Sequence, residues 1–499
     1  MKDHIKSVVA WTLMLLFFSP LFVGADTHNV VNPGNGNDIR ANLVNAISAA
    51  SAGDTVQLPA GSFVLSQYVD IGKRIYLKGM GQDETNGGTL LYRDDSANLT
   101  DATLESWMYM IRLNNIPTSD GTTSGDGAVI SGIHFKSKTP SPDANRFIGG
   151  DGSSACDIGV WAFESTNFVI TDCKFEYFGY AAIRVDHYDY TSQGLIRKNN
   201  FIHNIKMCPY AVSTGGTTLG YGVVVYSGQH AAWRGSTGIG TENMIYVEDN
   251  YFSKHRHAIA AGQGGAYCFR YNDVEDNLWG QAVDAHGAGA FGNDYSVRAF
   301  DIYQNTIKCN VDIFGVALNT YPGSAPAGWD NYVTYALGSN YTFANNYYNK
   351  RLSEKAIAIR GGEGYVRDNT IGGFRFDVWI QIEQQAATPG YPANYPVLYQ
   401  IGWKSGVDLG YGHTGYETSA KCAGDLFING NLYNQVAVNN GGHYPSYGGS
   451  LYEYLLYSVD FLIEGRDYHL GVYPWYYTPG QSPSGTEFTY PHPRHLPGL

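Results

Sequence analysis

The sequence predicts an all-β fold, a right-handed parallel β-helix (solenoid) in which each coil packs on its neighbours. The first observation behind this prediction is a short strand pattern that recurs with an asparagine in constant phase. The second is the composition: 61 glycines, 40 tyrosines and only 15% charged residues favour tight turns over solvated helical faces. The third is the length of 499 residues, which one solenoid domain can reach because coils add without enlarging the core.

In the recurring pattern, alternating apolar residues precede an asparagine and an apolar residue follows two positions later. Period-2 alternation is typical of strands. An asparagine at a bend can adopt the left-handed conformation and bond its equivalents in adjacent coils. Intervals of 22 to 26 residues match one coil, and longer intervals predict inserted loops. The alternative is a set of unrelated strand–turn signals in a β-sandwich. The positions in this register are Cys173, Asn199, Asn250, Asn272, Asn305, Asn346, Asn369 and Asn431.

The first 25 residues are predicted to be a signal peptide. Lys2 and Lys6 give a positive start, residues 8–18 are almost wholly apolar, and Val23–Ala25 supplies small residues for cleavage before Asp26. The alternative is a membrane anchor, but the apolar run is shorter than the ~20 residues that a span needs. The mature chain is therefore expected to be secreted or periplasmic, with no membrane span.

Residues 26–499 are predicted to form a single domain with three distinct parts. Residues 26–80 supply an N-terminal cap and the first coils, with a helix at 42–52 covering the sticky edge of the first coil. Residues 377–425, rich in proline and glycine, predict a large loop. Residues 465–499 form a Pro/Tyr-rich tail. Either its aromatic rings stack on sugar rings, or the tail packs along the solenoid as an extended segment.

Charge and cysteine content limit the partners. The formal net charge of −13 argues against nucleic acid, and a polyanionic substrate would need a local basic patch. None of the six cysteines forms a CxxC pair, so a zinc site is not expected. Cys173, Cys268 and Cys309 lie in or beside apolar strands and are predicted to be core residues, while one or two disulfides remain open after export.

Two regions resemble a known group of proteins. Gly53–Phe63, followed by Ile75–Gly81, resembles the opening of the pectate-lyase-like β-helix superfamily, and Glu464–Tyr468 with Thr489–Pro493 resembles the ending of some bacterial exported β-helix proteins. The resemblance covers most of the mature chain. It implies a fold but not a reaction, because members include polysaccharide lyases, hydrolases, epimerases and non-catalytic surface proteins.

Stacking of the second strand of each coil predicts a site, because equivalent residues in successive coils lie ~4.8 Å apart. We expect Ile183, Val223, Ile259, Val283 and Ile357 to point inward. One outward column then holds Arg184, Val224, Ala260 and Asp284. The adjacent column holds Asp186, Tyr226, Gly262, His286 and, after an intervening coil, Arg360. His255, Arg256 and His257 enter from the N-terminal side of their strand.

These side chains suit β-elimination on an acidic sugar, which needs a base, a cation for the enolate-like charge and an acid for the leaving oxygen. The hypothesis assigns the base to His257 or His286 and the acid to Tyr226. Arg256 or Arg184 neutralises the carboxylate of the acidic sugar, and Asp284 orients a histidine. His255, Asp186 and Arg360 are assigned to substrate binding. The alternative is that each is an isolated surface or packing residue.

The leading hypothesis is a secreted polysaccharide lyase that cleaves a uronate-containing polymer and works as a monomer. A glycoside hydrolase needs two carboxylates, and Asp186 and Asp284 would be ~14 Å apart across three coils, beyond the ~6.5–9.5 Å of inverting enzymes. Ser353–Arg360 faintly resembles the basic strand of chondroitinase-B and alginate-lyase relatives, with Arg360 in place of lysine. No acidic calcium cluster of the pectate-lyase kind is evident, although calcium remains possible as a cofactor. A non-catalytic glycan-binding surface protein is the other alternative.

Overall fold

The computed structural model describes residues 25–93, 107–114, 127–137, 156–187, 193–205, 220–227, 238–278, 280–287, 296–310, 355–374, 376–380, 426–433, 468–470 and 489–493. The predicted signal peptide apart from Ala25, the predicted repeat around Asn346 and most of the predicted 377–425 loop lie outside these residues. Within them, no helix is long and apolar enough to cross a membrane.

Three parallel sheets build the molecule, and each coil visits sheet 1, then sheet 3, then sheet 2. Every strand pairs in parallel with its equivalent one coil away, so the predicted right-handed parallel β-helix is confirmed. Sheet 1 contains β1 (Thr27–Asn29), β2 (Thr55–Gln57), β5 (Tyr76–Lys78), β8 (Val129–Ser131), β11 (Phe168–Thr171), β14 (Gly194–Arg197), β17 (Ile245–Glu248), β20 (Ala266–Arg270), β23 (Ala299–Tyr303), β26 (Glu363–Arg367), β29 (Leu426–Asn429) and β31 (Tyr468–Leu470).

Sheets 2 and 3 complete each coil. Sheet 2 contains β4 (Val69–Ile71), β7 (Trp107–Asn114), β10 (Cys156–Phe163), β13 (Ala181–Asp186), β16 (Tyr221–Tyr226), β19 (His257–Ala261), β22 (Gln281–Ala285), β25 (Lys355–Ile359) and β28 (Phe376–Ile380). Sheet 3 contains β3 (Gly61–Val64), β6 (Thr89–Tyr92), β9 (Ile133–Lys136), β12 (Lys174–Glu176), β15 (Asn200–Ile202), β18 (Tyr251–Ser253), β21 (Asp273–Glu275), β24 (Thr306–Lys308), β27 (Thr370–Gly372) and β30 (Leu432–Tyr433).

The N-terminal helix α1 spans Arg40–Ala49, slightly earlier than the predicted 42–52. The Asp38 carboxylate accepts a hydrogen bond from the Arg40 N–H at 3.0 Å, and the chain becomes extended at Ala50, which ends the helix. The helix adds its buried residues, Leu43, Ala46 and Ile47, to the main core. A short 3₁₀ helix spans Glu84–Asn86.

An asparagine ladder joins the coils at the turn from sheet 1 to sheet 3. The Asn250 side chain accepts from the Asn199 N–H at 2.9 Å, and the Asn272 side chain accepts from the Asn250 N–H at 3.0 Å. The left-handed residue is the one before each asparagine, such as Lys198 (φ 54°), so the predicted left-handed asparagine is wrong. The preceding residue makes the bend, which leaves each asparagine free to bond along the solenoid axis.

The ladder also corrects the coil count. Asn305 N–H donates directly to the side chain of Asn369 at 3.0 Å, and β24 pairs directly with β27. The predicted rung at Asn346 therefore does not lie between them.

The interior is a continuous apolar column along the solenoid axis. Phe201 stacks on Phe175 and Phe252 with ring centroids 5.2 and 4.5 Å apart. Cys173, Cys268 and Cys309 are buried, as predicted for core residues, and are not joined to one another by a disulfide. The first residues of the predicted 377–425 loop belong to β28, which ends at Ile380.

Candidate functional site

Sheet 2 carries the predicted site on its outward face. The register places Arg184, Val224, Ala260 and Asp284 side by side on β13, β16, β19 and β22. Asp186 lies beside Tyr226 in the adjacent column, while Ile183, Val223, Ile259, Val283 and Ile357 all enter the core. The predicted columns thus exist as neighbouring side chains.

One step of the predicted alignment is wrong. β22 pairs directly with β25, which places Asp284 opposite Ala358 with no coil between them. Arg360 is therefore next to His286 and close enough to bind Asp284. The error has the same origin as the extra asparagine rung, because the inserted segment between β24 and β25 was counted as a coil.

A third outward column precedes these two and consists of Ile158 in β10 and the first residue of β13, β16, β19, β22 and β25. Counted from this column, the second residue of each strand has no partner in the register, and both it and the third residue face inward. The second residues are small: Gly159, Ala182, Gly222, Ala258, Ala282 and Ala356. The close packing explains their size, since a Cβ on Gly159 or Gly222 would lie 2.6 Å from a carbonyl oxygen of the next coil. His257 thereby shares the outward face with Ala260 and Gly262.

Arg184 is held by an acid and by aromatic rings. Its guanidinium donates to the Asp186 carboxylate at 3.1 Å and lies 5.2 Å from the Trp161 ring and 5.4 Å from the Tyr226 ring. Trp161 Nε1 also donates to Asp186 at 2.5 Å. The Tyr180 and Tyr226 hydroxyls are 3.2 Å apart, and burial raises the pKa of Tyr226, so this phenol keeps its proton.

Asp284 and Arg360 form a fully paired unit at the centre of the second group. Arg360 Nε and Nη2 donate to the two Asp284 oxygens at 3.0 and 2.5 Å. Burial alone would raise the pKa of Asp284, but the Arg360 guanidinium holds it well below its ordinary value. The carboxylate thus stays ionised and positions the guanidinium.

The two candidate bases differ in access. His257 is 1% exposed, its Nδ1 contacts the Gln281 carbonyl, and burial lowers its pKa well below the usual range. His286 is partly exposed, and its Nδ1 lies 2.7 Å from the Gly287 carbonyl oxygen. Donation from Nδ1 leaves the lone pair on Nε2, so His286 is the more accessible base.

Gly262 places no side chain between Tyr226 and His286, and this position is called the notch below. A Cβ built on Gly262 would lie 3.7 Å from both the Tyr226 ring and the His286 Cβ, so the glycine sits directly between them. The two side chains stand two coils apart, ~10 Å at ~4.8 Å per coil. Arg256 lies at the other end of β19, with Nη1 3.2 Å from the Tyr221 hydroxyl.

His255 does not join the site. Its ring is 1% exposed in the turn between sheets 3 and 2, with Nε2 3.0 Å from the Phe201 carbonyl and Nδ1 3.3 Å from that of Asn204. One coil earlier, the Asn204 side chain donates to the Phe175 carbonyl at 3.1 Å, so His255 continues a turn ladder. Burial lowers its pKa to about 4.

The sequence analysis missed several residues on this face. Asp70 binds Arg112 through two hydrogen bonds of 2.9 and 2.8 Å, and the Arg112 guanidinium lies 5.0 Å from the Tyr109 ring. Lys355 lies 4.4 Å from the Trp379 ring. The recurring small residue at the second strand position could have extended the alignment to β10, where it is Gly159, but not to β7 or β28, which have Met110 and Asp377 there. Across the described part of the chain, no group of three or more His, Cys, Asp or Glu residues could hold a metal ion.

No protein-family model matches this chain, and no curated protein sequence matches it significantly. Among solved structures, it is similar to a tailspike protein of E. coli bacteriophage HK620 in complex with a pentasaccharide, at 16% identity over 82% of this chain with a TM-score of 0.40. The chain covers 56% of that tailspike's length. The likeness is one of fold.

Two further structures show the same distant likeness. PfbA, a surface adhesin of Streptococcus pneumoniae, is 13% identical over 72% of this chain and 87% of its own, with a TM-score of 0.37. A mannuronic acid-specific polysaccharide family 6 lyase from human gut microbiota is 14% identical over 83% of this chain and 77% of its own, with a TM-score of 0.39. At this distance, function has to be argued from the site.

Proposed function

We propose that the outward face of sheet 2 binds an acidic polysaccharide and that the notch between Tyr226 and His286 cleaves it by β-elimination. The observation that carries this proposal is Gly262, which places no side chain between a protonated phenol and an accessible imidazole. An extracellular or periplasmic location and a polysaccharide partner are parts of the same proposal.

Local charge supports an acidic substrate. On or beside this face, the described cations are Arg112, Arg184, Arg256, Lys355 and Arg360, and the described outward anions are Asp70, Asp186 and Asp284. This excess of two positive charges contrasts with the net charge of −13 for the whole chain. A uronate polymer would be attracted to this face rather than to the rest of the surface.

The roles follow from access and protonation. His286 Nε2 removes the proton α to the carboxylate, and the Tyr226 hydroxyl protonates the leaving oxygen. Arg360, fixed by Asp284, stabilises the enolate-like charge beside His286. Arg184 and, at the opposite end of the strands, Arg256 bind other carboxylates of the polymer.

A hydrolase is less favoured because the acids are already engaged. Asp186 binds Arg184, and Asp284 binds Arg360 and stays ionised, so neither is available as a general acid. Binding without turnover is the second candidate. Arg184 and Arg360 each have a carboxylate partner before any substrate arrives, and a paired arginine stabilises the negative charge that develops in a reaction less than an unpaired one would.

The test is incubation with a panel of uronate polymers while the absorbance of the unsaturated product is followed, with and without calcium. We expect turnover by the wild type and a loss of about 10²-fold or more in His286→Gln, the range of general base catalysis. His203→Asn is the matched control, because His203 lies in the turn after β15 with φ 55°, which asparagine tolerates.

Three outcomes separate the candidates. Retention on a glycan array by both the wild type and His286→Gln, without product, would support binding alone. New reducing ends without ultraviolet absorbance would indicate a hydrolase. Neither binding nor product on any polymer would contradict the proposal.

A further inference from the structure

The outward face of sheet 1 carries a buried ion pair that a distant segment of the chain covers. Glu248 on β17 and Arg270 on β20 are neighbours in register and fully buried, although their side chains point away from the core. Arg270 Nε donates to Glu248 Oε2 at 2.8 Å, and Arg270 Nη1 donates to the Tyr303 hydroxyl at 2.8 Å. Such a pair needs partners for its remaining polar atoms.

The segment Thr489–Pro493 supplies those partners with its main chain. Arg270 Nη2 donates to the Thr489 carbonyl at 3.0 Å, and Glu248 Oε1 accepts from the His492 N–H at 3.0 Å. The ion pair therefore presents a donor and an acceptor to a peptide that offers the matching groups three residues apart.

Aromatic contacts bind the side chains of Tyr490 and His492. The Tyr490 ring stacks on Tyr271 with centroids 3.8 Å apart, and its hydroxyl donates to the Asp249 carboxylate at 2.6 Å. The His492 ring, 1% exposed, lies 4.8 Å from the Tyr246 ring. Proline at 491 and 493 restricts the segment, which lowers the entropy that it loses on binding.

The receiving face is held rigid by other parts of the fold. Asp249 and Tyr271 directly precede Asn250 and Asn272 of the asparagine ladder, and Arg197 donates to Asp249 at 2.7 Å. The contacts to Thr489–Pro493 come from residues more than 200 positions earlier in the chain.

We propose that this face is a peptide-recognition site that binds Thr489–Pro493 as a separable ligand of the type Thr-Tyr-Pro-His-Pro. The same peptide binds it in trans, supplied by a synthetic peptide or by a second copy of the chain. The site is independent of the face proposed for the polysaccharide.

The experiment releases the segment after the full chain has folded. A protease site is introduced between residues 471 and 488, the folded protein is cut, and the fragment is followed by gel filtration. We expect the fragment to co-elute with the body and a fluorescent Thr-Tyr-Pro-His-Pro peptide to exchange with it.

Tyr490→Phe removes the bond to Asp249, so its fragment should bind at least about tenfold more weakly, the range for a hydrogen bond to a charged group. Tyr251→Phe is the matched control, because its hydroxyl donates to Glu275 at 2.8 Å on sheet 3. Immediate separation of the cut wild-type fragment, or equal retention of the Tyr490→Phe fragment, would overturn the proposal.

Discussion

The outward faces of sheets 1 and 2 carry similar charged pairs but differ in how far the side chains beside those pairs are exposed. On sheet 1, Glu248 and Arg270 are fully buried and covered by Thr489–Pro493 of the same chain. On sheet 2, Asp284 and Arg360 are buried as well, but Tyr226 and His286, on either side of Gly262, are partly exposed. The comparison teaches that a stacked column of polar residues becomes an internal joint or a candidate site according to what lies over it.

The largest expected effect is on sheet 1. Arg270→Gln leaves the buried Glu248 carboxylate with Arg197, 3.5 Å from its Oε1, as its one cation among the described residues, and we expect the free energy of unfolding to fall by about 3 kcal/mol. Urea denaturation followed by circular dichroism measures this loss. A loss below about 1 kcal/mol would mean that the sheet 1 face is not a closed joint.

The next effect tests the space on sheet 2. Gly262→Leu fills the notch, so we expect about a hundredfold loss of polymer affinity or turnover, roughly 2.7 kcal/mol. Gly262→Ala is the control, because a Cβ there meets nothing nearer than 3.7 Å. Equal activity of both variants in the lyase assay would mean that the notch does not bind substrate.

A smaller effect separates the two kinds of histidine near sheet 2. Burial lowers the pKa of His255 from 6.5 to about 4. Its contribution to stability is therefore complete above pH 6.5 and is lost progressively as the pH falls from 6.5 to 4. We expect this residue to cost the wild type about 2 kcal/mol between pH 8 and pH 5. His255→Asn, which can bond the Phe201 carbonyl as Asn204 bonds that of Phe175, should flatten this dependence.

Urea denaturation of both proteins at pH 5 and pH 8 measures the difference between them. Identical pH profiles would show that His255 is not held neutral in the turn.

The smallest effect repeats the first substitution on the other face. Arg112→Gln breaks the pair with Asp70, whose side chain is 37% exposed, and we expect a loss of no more than about 1 kcal/mol. The same urea assay applies. A loss as large as that of Arg270→Gln would remove the distinction between the two faces.

The sequence predicted the two site columns because period-2 alternation holds from the third residue of β13, β16, β19 and β22 onward. It placed Arg184 and Asp284 in one column and Asp186 and Tyr226 in the next, as the register has them. It misplaced Arg360 by one coil, because an inserted segment that contains a strand–turn pattern cannot be told from a coil by pattern alone.

Burial was the harder property to predict. Pattern alone does not distinguish His255, which bonds two backbone carbonyls in a turn, from His286 on the outward face. The left-handed residue was also misassigned, because the bend and the ladder bond belong to adjacent residues such as Lys198 and Asn199.

The sequence by itself determined the solenoid, since alternating apolar strands and an in-phase asparagine can be satisfied together only by stacking coil on coil. Only the tertiary structure decided which outward column is covered by another segment and which is partly exposed. That outcome depends on contacts between residues more than 200 positions apart, such as Arg270 with Thr489, and no local pattern records which distant segment will cover a given face.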